Sequence, residues 1–320
     1  MSIKNSPWPF LKKGDIVDII APSSGVPTND LHKYYRQVKE VFEKIGLIAR
    51  IPDDLIEIGQ DLFSANSLDY RANHLIYALT NDESKAVWAI RGGYGAAKII
   101  PYLEKISNLP QSKIVLGFSD ITALHLFLNN KWNWNSIHSA VLNQIIQNEN
   151  FIAELEPILF GKQEKIIYDQ LIPLNKAASQ VNEISAPITG GNLAIVQTSI
   201  GTSWEMQSKE KIVFLEDVGE EGYRIDRMLN HLEQASLFEG VKAIIFGEIT
   251  PPKNIFPETC ESAINNFASK IDIPVFSLPI IGHNIKHNSP LPLGTACKLS
   301  ALGDNKFILE CETGGYDADS

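Results

Sequence analysis

In Lys113-Ile-Val-Leu-Gly-Phe-Ser-Asp-Ile-Thr-Ala-Leu-His125, one short turn joins an apolar run to a helical pattern. The aliphatic run that ends at Gly117 is typical of a strand covered on both faces. Beyond Ser119, apolar residues recur at the three- and four-residue spacing of a helix. A strand that leads through a turn into a helix is the building unit of a parallel sheet, so this segment predicts an α/β fold.

The same combination recurs along the rest of the chain. Five other apolar runs predict buried strands, at residues 15–20, 86–90, 211–215, 242–246 and 274–278. Apolar residues at helical spacing lie between them, most clearly over 31–45, 72–79 and 225–232. Strands that alternate with helices predict α/β units throughout.

The length of the chain favours two domains over one. It has 320 residues, and the clearest interruption is a polar stretch at 147–150 followed by a weakly periodic segment. We therefore predict an N-terminal α/β domain at 1–150, a linker at 151–187 and a C-terminal α/β domain at 188–320.

Charge and composition exclude several classes of function. The formal net charge is −10, which opposes non-specific binding to nucleic acid and to anionic membranes. The first ten residues lack the apolar core of a signal peptide, and no apolar run is long enough for a membrane span. The three cysteines, Cys260, Cys297 and Cys311, are widely spaced and predict buried thiols. We expect a cytoplasmic protein that binds neither nucleic acid nor membrane.

Ser119 stands where a predicted strand ends and a predicted helix begins. Backbone N–H groups at the start of a helix favour developing negative charge. A serine on a strand–turn–helix corner is the arrangement of a nucleophile elbow, here with Gly-Phe-Ser-Asp at 117–120 in place of G-x-S-x-G. The other interpretation is an N-capping serine, which is common at this position.

A glycine-rich loop follows another predicted strand. Its sequence, Arg91-Gly-Gly-Tyr-Gly95, lets the backbone approach a ligand closely and point N–H groups at an anion. A donor from this loop would complement the N–H of Asp120 in an oxyanion hole. The loop lacks the patterns of dinucleotide and P-loop sites. A tight turn between strand and helix is the alternative interpretation.

An acid and a histidine complete a possible triad. Glu216 lies at the end of a predicted strand, where its carboxylate could orient and charge-stabilise a histidine. His283 follows a glycine on the loop after the last predicted strand, and a loop histidine is more easily functional than a core one, although a lone histidine is usually structural. The acidic run at 215–220 has two other interpretations, a solvated turn and a divalent-metal site.

These segments, in this order over nearly the whole chain, resemble the LD-carboxypeptidase family of serine peptidases. The matching motifs are Gly14-Asp-Ile-Val-Asp-Ile-Ile-Ala-Pro-Ser-Ser24, Arg91-Gly-Gly-Tyr-Gly95, Gly117-Phe-Ser-Asp120, Gly190-Gly-Asn192, Leu215-Glu-Asp-Val-Gly-Glu220, Tyr223-Arg-Ile-Asp-Arg-Met-Leu229, Gly282-His283 and Leu291-Pro-Leu-Gly294. Each motif alone is a weak pattern, and the ordered set is a specific one.

The resemblance implies two α/β domains with the active site at their interface, usually in a homodimer. It implies Ser119 as the nucleophile, His283 as the base and Glu216 as the triad carboxylate. The oxyanion hole would use the N–H of Asp120 and one from the turn at Gly92 and Gly93. The family's reaction needs no metal and no cofactor.

The substrate implied by the resemblance is the murein tetrapeptide. Its terminal D-alanine is cut from the L-centre of meso-diaminopimelate during recycling of cell-wall peptides in a bacterial cytoplasm. Asn192 is a candidate for hydrogen bonding to the peptide backbone, and Glu220 for receiving the diaminopimelate amine. Each also has a simpler interpretation, a helix cap for Asn192 and a solvated side chain for Glu220.

Three other functions stay open. The same family includes microcin C immunity peptidases, which cut aminoacyl-sulfamoyl adenylates, although the acidic run at 215–220 suits an amine-bearing peptide better. A non-catalytic binding protein also fits two α/β domains around a cleft, but it leaves the ordered serine, glutamate and histidine unexplained. A nucleotide-dependent enzyme would need a phosphate loop that this sequence does not clearly have.

Overall fold

The computed structural model describes residues 7–57, 63–253 and 256–316. It divides into two compact units, Met1–Glu164 together with Gly314–Ser320, and Lys165–Thr313. Most of the amino-terminal segment used for the signal-peptide prediction lies outside the described residues. In the described part of the chain, no helix is long and apolar enough to cross a membrane.

The first unit is built on a parallel sheet with helices packed against it. Its strands are β1 (Trp8–Pro9), β2 (Ile16–Ile20), β3 (Ile48–Arg50), β4 (Ser84–Ala89), β5 (Ile114–Gly117), β6 (Ser136–His138) and β15 (Gly315–Tyr316). Its helices are α1 (Leu31–Ile45), α2 (Leu68–Thr80), α3 (Ile100–Leu103), α4 (Thr122–Phe127), α5 (Leu142–Ile145) and α6 (Asn150–Leu159). Five of its strands pair in parallel in the order β6-β5-β4-β2-β3, and β1 pairs separately with β15.

The strand order of this sheet indicates where a ligand would bind. From β2 the chain moves outward to β3 and then returns to the other side of β2 to form β4. Ligands of open parallel sheets bind outside the carboxyl ends of the strands at such a reversal. The loops that follow β2, β4 and β5 all start at this edge, because parallel strands end on the same side.

The predicted helices form for the reasons that their sequences indicate. In α1, apolar residues on one face are buried, the Asp30 side chain accepts the N–H of Lys33, and Gly46 ends the helix in the left-handed conformation. The helix predicted over 72–79 is part of α2, which Ser67 caps. These predictions and those of the strands of the first unit are confirmed.

The second unit contains a closed seven-stranded barrel. The strands of this unit are β7 (Lys165–Pro173), β8 (Glu183–Asn192), β9 (Ile212–Val218), β10 (Ala243–Thr250), β11 (Val275–Ser277), β12 (Leu291–Leu293), β13 (Ala296–Gly303) and β14 (Lys306–Glu312), and all of them except β12 belong to the barrel. Its helices are α7 (Lys176–Ser179), α8 (Leu193–Thr198), α9 (Gly222–Gln234) and α10 (Glu258–Lys270). The barrel order is β10-β11-β7-β14-β13-β8-β9, with β8, β9, β10 and β11 parallel and the remaining pairs antiparallel.

The structure divides the chain differently from the predicted ranges 1–150, 151–187 and 188–320. Helix α6 and the turn after it belong to the first unit, and β7 opens the second unit at residue 165. The segment predicted as a linker therefore contains regular structure. In β7, buried residues such as Ile166 and Tyr168 alternate with exposed ones, so the strand has no continuous apolar run. The chain also returns to the first unit at residue 314.

Candidate active site

Ser119 occupies a strained corner directly after β5. Its φ is 62°, in the left-handed region that residues with a side chain rarely adopt. It begins a 3₁₀ turn, Ser119–Ile121, that continues into α4. A non-glycine residue in this conformation costs about 1–3 kcal/mol and persists only where its surroundings hold it. The backbone thus has the form of a nucleophile elbow, with a half-buried serine at its tip.

Asp120 ties the neighbouring loops to this corner. Its buried carboxylate accepts hydrogen bonds from Ser23 Oγ at 2.6 Å and from the backbone N–H of Ala96 at 2.8 Å. Burial raises the pKa of Asp120, against the lowering effect of these two donors and of Arg71. Arg71 in turn donates to the backbone oxygens of Pro22 and Gly95. The loops after β2, β4 and β5 are therefore held together behind the serine.

The glycine-rich loop lies against the serine. A β-carbon at Gly92 would come 3.0 Å from Ser119 Cβ and 3.3 Å from Ser119 Oγ. Gly93 has a φ of 110°, and a β-carbon there would collide with the side chain of Ser24. Ser24 joins the loop through its N–H, which donates to Gly92 O at 3.2 Å. Only glycine permits this approach, which brings the loop backbone beside the serine hydroxyl.

The first unit therefore gathers four of the predicted site residues at one corner: Ser119, Asp120, Gly92 and Gly93. The alternative interpretation of Ser119 as a helix cap has no support here, because neither the 3₁₀ turn nor α4 has a side-chain cap in the described structure. Backbone N–H groups in the first turn of a helix lack partners inside the helix, which suits them to an oxyanion.

In the second unit, Glu216 and His283 form a direct pair. Glu216 is completely buried near the end of β9. The Nδ1 of His283 lies 2.6 Å from its Oε2. Burial lowers the pKa of His283, but Glu216, together with Asp217 and Glu248, outweighs burial and the net pKa is raised. The carboxylate thus orients the ring and stabilises its charged form, as a triad acid does.

Glycine is required next to the histidine. A β-carbon at Gly282 would come 2.7 Å from Glu248 Cβ. The Gly282 N–H donates to Asn288 Oδ1 at 3.0 Å, and Asn288 is buried. The loop that carries His283 is therefore held against the end of β10 through Glu248. It is also held by Asn288, which follows in the same loop.

Asp217, the next residue after Glu216, also has a buried carboxyl group, and its pKa is raised. Burial and the adjacent Glu216 raise the pKa of Asp217 to about 7, against donors that lower it. Those donors are the backbone N–H groups of Ala194 and Val218 and the side chain of Asn192. The alternative of a metal site has no support in the described residues, which contain no group of three or more ligand side chains.

The two predicted substrate-binding residues have internal partners. Asn192 pairs in register with Glu216 across β8 and β9, and its Oδ1 caps α8 by accepting the N–H of Ile195. Its Nδ2 lies 3.4 Å from Glu216 Oε1 and 3.1 Å from Asp217 Oδ1. Glu220 accepts a hydrogen bond from Arg224 at 3.0 Å. Asn192 therefore lies beside the proposed triad acid. Glu220, four residues after that acid in sequence, forms an ion pair with Arg224.

Sequence reasoning missed three residues that hold the predicted groups in place, two in the first unit and one in the second. Ser23 binds Asp120, Arg71 binds the loops after β2 and β4, and Glu248 lies next to Gly282. Ser23 and Glu248 each stand at or just beyond the carboxyl end of a strand, which is the signal that could have identified them. Arg71 binds two loops that are far apart in sequence and come together only in the folded protein. No local sequence pattern could therefore have identified its role.

Comparison with known proteins identifies both halves of the chain. Residues 17–139 match the model of the LD-carboxypeptidase N-terminal domain, and residues 185–299 match that of the LD-carboxypeptidase C-terminal domain. A putative carboxypeptidase of Rickettsia conorii is 39% identical over 296 residues, which are 92% of this chain and 90% of that protein.

A more distant relative and a solved structure are also similar to this chain. The probable murein peptide carboxypeptidase of Bacillus subtilis is 27% identical, over 93% of this chain and 92% of its own. An MccF-like protein from Bacillus anthracis has the same fold, with a TM-score of 0.80 at 20% identity, over 95% of this chain and 98% of that one.

Proposed function

The chain belongs to the LD-carboxypeptidase family and is a hydrolase of peptide bonds, and we propose that it is a serine carboxypeptidase that releases the terminal D-alanine of murein tetrapeptide. The bond cut is the amide between the L-centre of meso-diaminopimelate and D-alanine. The observation that carries the serine mechanism is the buried bond between His283 and Glu216. The strained corner at Ser119 supplies a matching nucleophile.

In the proposed first step, His283 acts as the general base. Its Nδ1–H donates to Glu216, so Nε2 is the nitrogen that takes the Ser119 proton while Oγ attacks the amide carbonyl. Glu216 stabilises the imidazolium that forms, and its burial strengthens this interaction. The mechanism requires Ser119 Oγ to come within hydrogen-bond distance of His283 Nε2 during catalysis.

The tetrahedral intermediate carries its negative charge on the former carbonyl oxygen. We assign its donors to the backbone N–H of Asp120 and to one N–H of the turn at Gly92 and Gly93. These groups are held in place before the substrate arrives, because Asp120 binds Ser23 and the glycine loop packs on Ser119. Donors fixed in advance stabilise a developing oxyanion without reorganisation.

Collapse of the intermediate completes acylation. The C–N bond breaks, the D-alanine amine takes the proton held by His283, and an ester links the peptide to Ser119. A water molecule then gives a proton to His283 and attacks the ester, and Ser119 regains its proton as the shortened peptide leaves. No metal and no cofactor takes part in either step of this proposal.

Substrate contacts are assigned to Asn192 and Glu220. Asn192 would hydrogen-bond the peptide backbone while it caps α8, and its position beside Glu216 supports this role. Glu220 would receive the diaminopimelate amine, for which it must give up its bond to Arg224. Recycling of cell-wall peptides, a bacterial cytoplasm and a homodimer follow from the family resemblance and complete the proposal.

Mass spectrometry of released products tests the proposal. Wild-type protein and the Ser119→Ala variant are incubated with free murein tetrapeptide, each with and without EDTA. We expect loss of one alanine with the wild type only, and no effect of EDTA. Alanine release by folded Ser119→Ala protein would exclude the serine mechanism. Failure of folded wild-type protein to cut this peptide, with cleavage of an aminoacyl-sulfamoyl adenylate, would assign the microcin-type substrate.

A further inference from the structure

Two of the three cysteines lie opposite each other in the barrel of the second unit. Cys297 of β13 is paired in register with Cys311 of β14. The row continues on both sides, because Ala186 of β8 lies opposite Cys297 and Ile166 of β7 lies opposite Cys311. All four side chains are buried. The two thiols therefore lie in the middle of an apolar row that crosses four strands.

The backbone geometry of this pair is that of a cross-strand disulfide. Residues that face each other in an antiparallel pair have Cα atoms about 4.5–5.5 Å apart, which lies within the range that disulfides span. The Sγ atoms of Cys297 and Cys311 are 2.6 Å apart. A small rotation of the two side chains, without a shift of either strand, therefore brings the sulfur atoms to bonding distance.

The surroundings of the pair disfavour the other uses of two thiols. A metal site or a nucleophile requires thiolates, and burial together with the Cys297 thiol raises the pKa of Cys311 well above its ordinary value. The part of the chain that the structure describes contains no group of three or more side chains that could hold a metal ion. A disulfide carries no charge and needs no hydrogen-bond donor, so it suits this apolar row.

We propose that Cys297 and Cys311 are a redox modification site, which an oxidant of the disulfide class converts into a disulfide. One protein thiolate attacks the oxidant, such as oxidised glutathione, and forms a mixed disulfide as one glutathione thiolate leaves. The second protein thiolate attacks the protein sulfur of that bond and releases the other glutathione thiolate. The two departing thiolates take up the two protons that the cysteines lost. Two protein thiols are thus oxidised, and one glutathione disulfide is reduced to two thiols.

This exchange is slow in the folded protein, because both sulfur atoms are buried. It proceeds when the hairpin of β13 and β14 opens, or while the chain folds. In the reduced protein all three cysteines are thiols. Cys260 is buried on α10 and has no cysteine partner among the described residues, so it is an internal control for the pair.

The disulfide stabilises the folded protein mainly by restricting the unfolded chain. Cys297 and Cys311 are 14 positions apart in sequence. Closure of a loop of this length favours the folded state by about 100-fold. By thermodynamic linkage, the same factor is the ratio of the equilibrium constants for disulfide formation in the folded and the unfolded chain.

The test measures this ratio with the whole protein and glutathione. The protein is equilibrated with mixtures of reduced and oxidised glutathione, once after refolding into buffer and once in guanidinium. Acid and alkylation then trap the free thiols, and peptide mass spectrometry identifies the joined peptides. We expect a bond between Cys297 and Cys311, an unbridged Cys260, and an equilibrium constant about 100-fold larger in buffer than in guanidinium.

Two serine variants assign the effect to the pair. Oxidised wild type and oxidised Cys260→Ser should both unfold at a higher temperature than their reduced forms, and Cys297→Ser should show no such rise. The equilibrium measurement on the wild type does not depend on whether a variant folds. Equal equilibrium constants in buffer and guanidinium, a bond to Cys260, or a stable mixed disulfide at Cys297 or Cys311 in folded protein would overturn the proposal. None of these outcomes bears on the carboxypeptidase reaction, which uses no cysteine in the proposed mechanism.

Discussion

The Nδ1 atom of His283 lies 2.6 Å from Oε2 of a completely buried Glu216. Burial alone would lower the pKa of His283, and the neighbouring carboxylates reverse this effect, so the pKa lies above the ordinary 6.5. At a given pH, His283 is therefore protonated in a larger fraction of molecules than a histidine of ordinary pKa. As the proposed general base, His283 must be neutral to accept a proton, so we expect this pair to set the acidic limit of activity.

We expect kcat/KM to decline as pH falls through a pKa above 6.5. Glu216→Gln removes the charge that holds this pKa up, so the acidic limb should move to lower pH. The same change should reduce kcat by about 10⁴-fold, as loss of the triad acid does in other serine hydrolases. The measurement is a pH–rate profile of both proteins with murein tetrapeptide. An acidic limb that stays in place in the variant would show that another group controls it.

Gly92→Ala should impair catalysis more than stability. The new methyl group would come 3.0 Å from Ser119 Cβ and 3.3 Å from its Oγ, so the hydroxyl must move from its position. Displacement of a reacting group by about 1 Å can cost on the order of 100-fold in rate. The measurement is kcat at saturating tetrapeptide, together with the thermal midpoint of unfolding.

Gly25→Ala is the matched control for this substitution. A β-carbon there meets Ile56 Cγ2 at 3.1 Å, a contact as close as that of Gly92 but not with the nucleophile. It should leave kcat within a few-fold of the wild type. Equal losses of kcat in Gly92→Ala and Gly25→Ala would contradict the close packing of the glycine loop on Ser119.

Ser23→Ala should loosen the nucleophile corner. It removes the donor 2.6 Å from the buried Asp120 carboxylate, which then keeps only the N–H of Ala96 as a described hydrogen-bond donor. Loss of a hydrogen bond to a buried charged group costs about 1–3 kcal/mol. Urea unfolding measures this loss, and kcat should fall with it because Asp120 adjoins Ser119. A variant with unchanged stability would show that Asp120 finds another donor.

The sequence predicted six strands that have parallel partners, β2, β4, β5, β9, β10 and β11, and missed β3, β6, β8 and the antiparallel strands. Strands such as β5 and β10 are covered on both faces and appear as continuous apolar runs. Strands β7 and β14 have one buried and one exposed face, so their residues alternate and resemble a polar segment. The barrel could not be predicted because its closure depends on pairing between strands far apart in sequence.

The candidate site, like the barrel, could be predicted from the sequence only in part. Ser119 and His283 stand out locally because each follows a glycine-containing turn at the end of a strand. The left-handed φ of Ser119 and the bond between His283 and Glu216 are tertiary properties. Glu216 and Asp217 are neighbours in sequence, and only the structure shows that the first binds the histidine while the second binds backbone N–H groups.

The three thiols should react slowly in the folded protein. Cys260, Cys297 and Cys311 are all buried, and burial raises the pKa of the Cys260 and Cys311 thiols. Since the thiolate is the reactive form, a disulfide reagent such as dithionitrobenzoate should label them slowly in buffer. In guanidinium, which unfolds the protein, all three thiols should react rapidly. Rapid labelling of one thiol in buffer would show that its strand or helix opens locally.

Acid should destabilise the protein through His125, which packs behind the nucleophile. Its Nε2 lies 2.9 Å from Gly117 O, and its Nδ1 is buried without a described partner. Burial lowers the pKa of His125 to about 4 from 6.5, so the folded protein holds the ring neutral where the unfolded chain protonates it. The stabilisation is complete above pH 6.5 and declines between pH 6.5 and 4, by on the order of 3 kcal/mol.

Substitution of two histidines isolates this effect from general acid denaturation. His125→Gln removes the titrating group and keeps a donor for Gly117, while His32→Gln changes an exposed residue on α1. The free energy of unfolding is measured in urea at several pH values from 7 to 4. We expect the decline to be smaller in His125→Gln than in the wild type and unchanged in His32→Gln. An equal decline in all three proteins would assign the acid sensitivity to other groups that titrate in this range, such as the carboxyl groups and His74, whose pKa is also lowered by burial.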